Sequence, residues 1–183
     1  MFVMGVDPGL SRCGYGIVES CGGATRSGLR AIAAGVITTP VTAGLPHRLA
    51  ALGDELRGLL DEFHPDVVAV ERVLFQTNAR TAMGVGQASG LALAAAASAG
   101  AEVVEYSPNE VKMAVTGYGA ATKVQVQTMV QTMLDLDALP KPPDMADALA
   151  LAICHLGRAP MARRAALAEA GWRQRRIDVG GDR

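Results

Sequence analysis

The run Asp66-Val-Val-Ala-Val-Glu71 limits the fold more than any other stretch of the chain. Four consecutive apolar residues leave no polar face, the pattern of a strand covered on both sides. Upstream, Leu45, Leu49, Leu52, Leu56, Leu59, Leu60 and Phe63 recur at helical spacing, and Pro65 closes that helix. Downstream, a long helix is expected over about 78–98 and a strand over Glu102–Tyr106. A strand, helix, strand crossover of this kind makes its two strands parallel.

The first forty residues read differently. Three short strands, Phe2–Val6, Gly14–Glu19 and Leu29–Thr38, are separated by turns of hairpin length, which predicts an antiparallel start. Two capping boxes, Ser107-Pro-Asn-Glu110 and Thr122-Lys-Val-Gln125, open further helices. After the break Leu139-Pro-Lys-Pro-Pro143, a last helix is expected over about 144–158. The fold class is therefore α/β, with a mixed five-stranded sheet flanked by helices.

At 183 residues and 50% hydrophobic, the chain suits one domain, expected over 1–158. Charge is unevenly spread: residues 1–157 hold 10 Lys and Arg against 15 Asp and Glu, whereas 158–183 hold 7 Arg against 3 acids. Residues 159–183 lack an apolar stripe and are expected to be a basic, flexible tail with Trp172 as its one large apolar anchor. Cys13, Cys21 and Cys154 form no CxxC pair, which argues against a disulfide framework or zinc site and suits a cytoplasmic protein. The uncharged run 81–101 is interrupted by Gln87, Ser89, Ser98 and glycines, too polar for a membrane span, and no secretory signal is expected.

Both buried-strand candidates end in an acid. Asp7 closes the first and Glu71 the fourth, and ligands of open sheets collect outside the carboxyl ends of parallel strands. Asp144 and Asp147, three apart, share a face of the last helix's first turn. Each has an ordinary explanation: Asp-Pro-Gly is a turn sequence, and acids favour helix N-termini. Glu71 is the hardest to explain that way, because a carboxylate ending an apolar strand is costly without a partner. If the helix start lies beside the strand ends, the four carboxylates form a site for hard divalent cations, and two such ions suit in-line displacement at phosphorus.

Four blocks in order, GVDPGLSRCGYGIV, VAVERVLFQTNARTAMGVGQASG, PNEVKMAVTGYGAATKVQVQTMV and DMADALALAICH, resemble the RuvC family of Holliday-junction resolvases. The resemblance implies an RNase H-like fold and a homodimeric endonuclease that nicks two strands of like polarity at a four-way DNA junction during recombination and repair. It implies Mg2+, two ions per site, with Mn2+ able to substitute, and RuvA and RuvB as branch-migration partners. Asp7, Glu71, Asp144 and Asp147 fall on the family's catalytic, metal-binding carboxylates, and Lys112 and Lys123 on its positively charged DNA contacts. Arg12, Arg72 and Arg80 are further phosphate-contact candidates near the acids.

Two departures stand out. The family's usual aromatic wedge, three residues after the second acid, is Leu74 here, with Phe75 next to it, so either becomes the candidate DNA wedge. Ala121 and Thr122 replace a small residue and an acid, which preserves a helix cap. Gly86 and Gly90, four apart, allow close helix approach, either to the chain's own sheet or across a dimer interface. His47, His64 and His155 are scattered, and His155, in a last helical turn, is where a partial positive charge is favourable. Competing readings are an actin-like or sugar-kinase-like ATP-binding module, which needs a second Asp-x-Gly half that is missing, and a junction-binding protein without catalysis.

Overall fold

The computed structural model describes residues 1–22, 27–73 and 79–158, with the side chains of 79–81 outside the description. Its strands are β1 (Phe2–Asp7), β2 (Arg12–Ser20), β3 (Leu29–Thr38), β4 (Val67–Glu71) and β5 (Glu102–Tyr106). Its helices are α1 (Leu45–Phe63), α2 (Ala79–Ser98), α3 (Pro108–Thr116), α4 (Lys123–Met133) and α5 (143–158). The strands form one sheet in the order β3-β2-β1-β4-β5. β1, β2 and β3 pair antiparallel, while β1, β4 and β5 run parallel, so the mixed sheet expected from the two halves of the sequence is present. Both anticipated capping boxes form, at Ser107–Glu110 and Thr122–Gln125.

Strand periodicity divides the core in two. Met4, Val6, Ile17, Val68 and Val70 face α1 and α2, packing on Leu52, Leu56, Leu60, Ala88, Ala92 and Ala96. Val3, Val18, Val67 and Ala69 face the other way, toward α5 and the helices α3 and α4. Residues two apart share a face, so Gly5 and Asp7 follow Val3, and Glu71 follows Val67 and Ala69, toward α5. The parallel register, with Val6 beside Val70, leaves Asp7 and Glu71 as neighbouring strand ends.

Helix α5 lies directly on the sheet because three glycines provide its floor. A Cβ on Gly5 would overlap the carbonyl oxygen of Ala148, and one on Gly14 would overlap that of Asp144. At Gly16 it would come within 2.8 Å of the Leu149 side chain. Gly5 pairs with Gly16, and Asp7 with Gly14, across the β1–β2 ladder. The helix answers with small residues: Ala146, Ala148, Ala150 and Ala152 are fully or almost fully buried. Burying α5 on nearly all sides suits an Ala-rich helix, since short side chains bring two backbones together without leaving voids. The close seating sets the start of α5 over the end of β1.

Among the described residues, no helix is long and apolar enough to cross a membrane. The run 81–101 instead supplies α2 and the turn after it, with Ala88, Ala92 and Ala96 buried.

Gly14→Ala is therefore expected to cost about 1–3 kcal/mol, as overpacking does, and to displace the first turn of α5. Gly58→Ala provides the contrast: Gly58 sits exposed within α1 and its Cβ would meet nothing within 4 Å. That change should stabilise by about 0.4–1 kcal/mol. Thermal melts of the two variants should shift in opposite directions.

Candidate active site at the carboxyl ends of two parallel strands

Asp7 and Glu71 end β1 and β4, and Asp144 and Asp147 lie in the first two turns of α5. Asp7, Glu71 and Asp147 line one cleft of about 220 Å³ with Lys112, Lys123, Pro108 and Val126. A continuing hollow of about 360 Å³ is lined by Asp7, Glu71, Arg72, Pro8, Val73, Val85 and Pro108. Asp144 stands at the edge, above the β1–β2 end, where its charge reaches Asp7. Three of the four carboxylates singled out in the sequence thus line one cleft with Asp144 beside it, and the glycine floor rather than any local motif sets that arrangement.

The four acids are not equivalent. Burial, followed by the charges of Glu71, Asp147 and Asp144, pushes the Asp7 carboxyl up to about 7, with Lys123 opposing. Burial and then Asp147 also raise Glu71 above the ordinary carboxylate range, while Lys123 and Lys112 pull it back. Burial likewise pushes Asp144 up, but the hydrogen bonds and charge of Arg12 outweigh it and leave that group below its usual value. Arg12 Nε and Nη2 donate to Asp144 Oδ2 at 3.0 and 2.8 Å. Lys123 Nζ donates to Asp147 Oδ2 at 3.1 Å, and this bond raises the Lys123 ammonium's own pKa. Asp147 explains why a lysine is tolerated in the first turn of α4, where the helix dipole disfavours it.

Cations thus hold the two helix acids, whereas the strand acids take no salt bridge among the described residues. Two half-buried carboxylates side by side without an ion-pair partner are an unfavourable arrangement that a hard cation relieves. The donors are all carboxylate oxygens, the chemistry that Mg2+, Mn2+ or Ca2+ selects. Among the described residues no three such groups already close on a single point, because Asp144 and Asp147 are turned to Arg12 and Lys123.

The remaining sequence candidates divide. Lys112, Lys123 and Arg72 line the clefts, with Arg72 Nη2 donating to the Glu105 carbonyl at 3.3 Å. Arg12 is at the site but engaged with Asp144. Leu74 and Phe75 lie outside the described residues, as do the Arg80 side chain and the tail 159–183. The His155 ring is buried and bonded to the Tyr106 hydroxyl at 3.0 Å, and burial pushes its pKa down, so the preference for positive charge in a last helical turn does not prevail.

Sequence reasoning missed Arg48, which braces the loop after Asp7. Its Nε donates to Thr39 Oγ1 at 2.9 Å and its Nη2 to Ser11 Oγ at 2.6 Å, while the Thr39 hydroxyl donates to the Leu10 carbonyl at 2.5 Å. No spacing rule joins residues 10, 11, 39 and 48.

Comparison with known proteins points to one family. Residues 3–155 match the family model described as crossover junction endodeoxyribonuclease RuvC. The protein of that name from Rhodococcus jostii is 52% identical over 170 residues, covering 93% of this chain and 88% of the relative. Thermus thermophilus RuvC, solved in complex with a Holliday junction substrate, superposes with a TM-score of 0.82 at 36% identity, covering 88% of this chain and 96% of that one. The yeast mitochondrial Holliday junction resolvase Ydc2, at 14% identity and a TM-score of 0.60 over 85% of this chain and 78% of its own, shares the fold.

The raised Asp7 carboxyl makes stability of the metal-free protein depend on pH. Between about 3.8 and 7 the folded state holds a proton that the unfolded state has lost, so stability falls as pH rises through that window. A shift of this size carries about 4 kcal/mol at most, and partial exposure reduces the expected effect to about 2 kcal/mol. With chelator present, Asp7→Asn should melt above the parent protein at pH 8, and the gap should close as pH falls toward 4.

Proposed function

The chain belongs to the RuvC family of crossover junction endodeoxyribonucleases, and from that premise we propose how its own residues resolve a four-way DNA junction. It has the RNase H-like fold and is a nuclease of recombination and repair. The observation that carries the residue assignment is the gathering of Asp7, Glu71 and Asp147 in one cleft, with Asp144 at its rim. Family membership removes the ATP-binding alternative.

In this reading Asp7 and Glu71, fixed on strand ends, and Asp144 and Asp147, in the first two turns of α5, would hold two Mg2+ ions, with Mn2+ as a substitute. Ions held there would supply activation of the attacking water and stabilisation of the leaving oxygen in in-line phosphodiester hydrolysis. The rigid parallel strands keep Asp7 and Glu71 at constant separation, which is what positioning for in-line attack needs. Lys112 and Lys123, on the cleft wall, orient the DNA backbone through phosphate contacts, and Arg72 extends that rim. Residues 1–157 carry five more acids than basic residues, so binding rests on these local cations and on the charge the ions bring. The wedge that opens the junction centre is assigned to Leu74 or Phe75, whose insertion would offset the cost of unstacking.

Residues 1–158 form the nuclease domain, and 159–183 a basic appendage. A homodimer fits the open face of α2. Cβ atoms on Gly86 or Gly90 would meet nothing within 4 Å, and Met83 is 65% exposed, so neither glycine packs on the chain's own sheet. A two-fold axis through that face would present two sites to a two-fold-symmetric junction. RuvA and RuvB are the expected partners in supplying and moving the junction.

Incubation with a synthetic mobile four-way junction and Mg2+ should yield paired nicks in two strands of like polarity. Degradation of linear duplex at the same rate, or no nicking, would refute the assignment. Asp7→Asn, Glu71→Gln, Asp144→Asn and Asp147→Asn should each lower the nicking rate by at least about a hundredfold while junction binding persists. Normal nicking by any one of them removes that residue from the site.

Lys112→Ala and Lys123→Ala should weaken junction binding across all sequences. Each should also flatten the slope of log affinity against log salt by about 0.9, the contribution of one neutralised phosphate. Affinity titrations between low and moderate salt measure that slope, and an unchanged slope marks the lysine as an ordinary surface charge.

A further inference from the structure

Arg12 begins β2 at the rim of the cleft, and both of its bonding nitrogens meet the same Asp144 oxygen. Its side chain is 47% exposed and that of Asp144 26%, so the pair lies in water-accessible space. An exposed ion pair of this kind is weak and can exchange partners. The backbone beneath it is fixed: Arg48 and Thr39 brace Leu10 and Ser11, and Gly14 seats Asp144 on β2. The side chain of Arg12 can therefore move while its base stays in place.

Two features of chemistry bear on that movement. A guanidinium on Asp144 opposes the arrival of a second cation at the same carboxylate. The same planar fork binds phosphate as well as it binds carboxylate. A junction entering a site at the ends of β1 and β4 brings phosphates to the place where Arg12 stands.

We propose that Arg12 is a counter-ion exchange residue that couples divalent-ion binding to DNA binding. Without DNA it occupies Asp144 and keeps the ion affinity of the site low. When junction DNA seats, Arg12 transfers to a backbone phosphate and frees Asp144 for the ion. By linkage, DNA then tightens ion binding and the ion tightens DNA binding by the same factor. The device keeps the four carboxylates partly neutralised in the absence of substrate and favours loading the site when DNA is present. The proposal rests on assigning the four carboxylates to a metal site. It differs in sign from a role in which Arg12 only orients Asp144, since loss of an orienting residue would weaken ion binding.

The test uses the full chain and Ca2+ as the probe ion. Isothermal titration without DNA should show Arg12→Gln binding Ca2+ roughly two- to fivefold more tightly than the parent, the range an exposed ion pair supports. The gain in junction affinity on adding Ca2+ should be smaller in Arg12→Gln by the same factor. Arg30→Gln, which removes an equal charge from the Arg30–Glu19 pair at the far end of β2, should change neither quantity. Unchanged or weaker Ca2+ binding by Arg12→Gln overturns the exchange while leaving the metal site in place, provided Asp7→Asn has lost Ca2+ binding. Parent-like Ca2+ binding by Asp7→Asn would overturn both the exchange and the site assignment.

Discussion

The contact on which the rest of the molecule depends is the seating of α5 against the bare backbone of β1 and β2. Gly5, Gly14 and Gly16 leave no side chain between sheet and helix, and the alanines of α5 fill the narrow space that results. With a larger residue at any of the three, the helix would ride higher and Asp144 and Asp147 would move away from the strand ends. A glycine in a strand ordinarily weakens it, and three on one face of two paired strands are a sizeable local cost. That cost is offset by close helix packing, and it has a functional return in placing two helix acids over two strand acids.

Electrostatics explains the uneven division of charge within the site. The strand acids sit deeper, repel each other and hold their protons to higher pH, whereas the helix acids are reached by Arg12 and Lys123. Four carboxylates against two engaged cations leave the site net negative and suited to hard divalent ions. Lys123, at the start of α4, reaches the same carboxylates from the cleft wall.

Much of this was legible in the sequence, and for identifiable reasons. The unbroken run ending at Glu71 marked β4 as buried on both faces, the capping boxes at Ser107 and Thr122 fixed two helix starts, and Asp7 and Glu71 stood out at strand ends. The pairing of Arg12 with Asp144 was not legible, since it spans 132 positions and depends on the height of α5 above the sheet. The brace made by Arg48 was hidden for the same reason, and so was the bond between His155 and Tyr106. Local signals report elements and their ends. Which distant side chains face each other is decided by packing, here by the absence of three Cβ atoms.

The central claim, that glycine-seated α5 completes a divalent-ion site with β1 and β4, is tested most directly by anomalous diffraction from crystals soaked in Mn2+. The expected result is anomalous density within coordination distance of Asp7 and of at least one of Glu71, Asp144 and Asp147. Mn2+ bound away from these carboxylates, or absent from the cleft at concentrations that support cleavage, would contradict it.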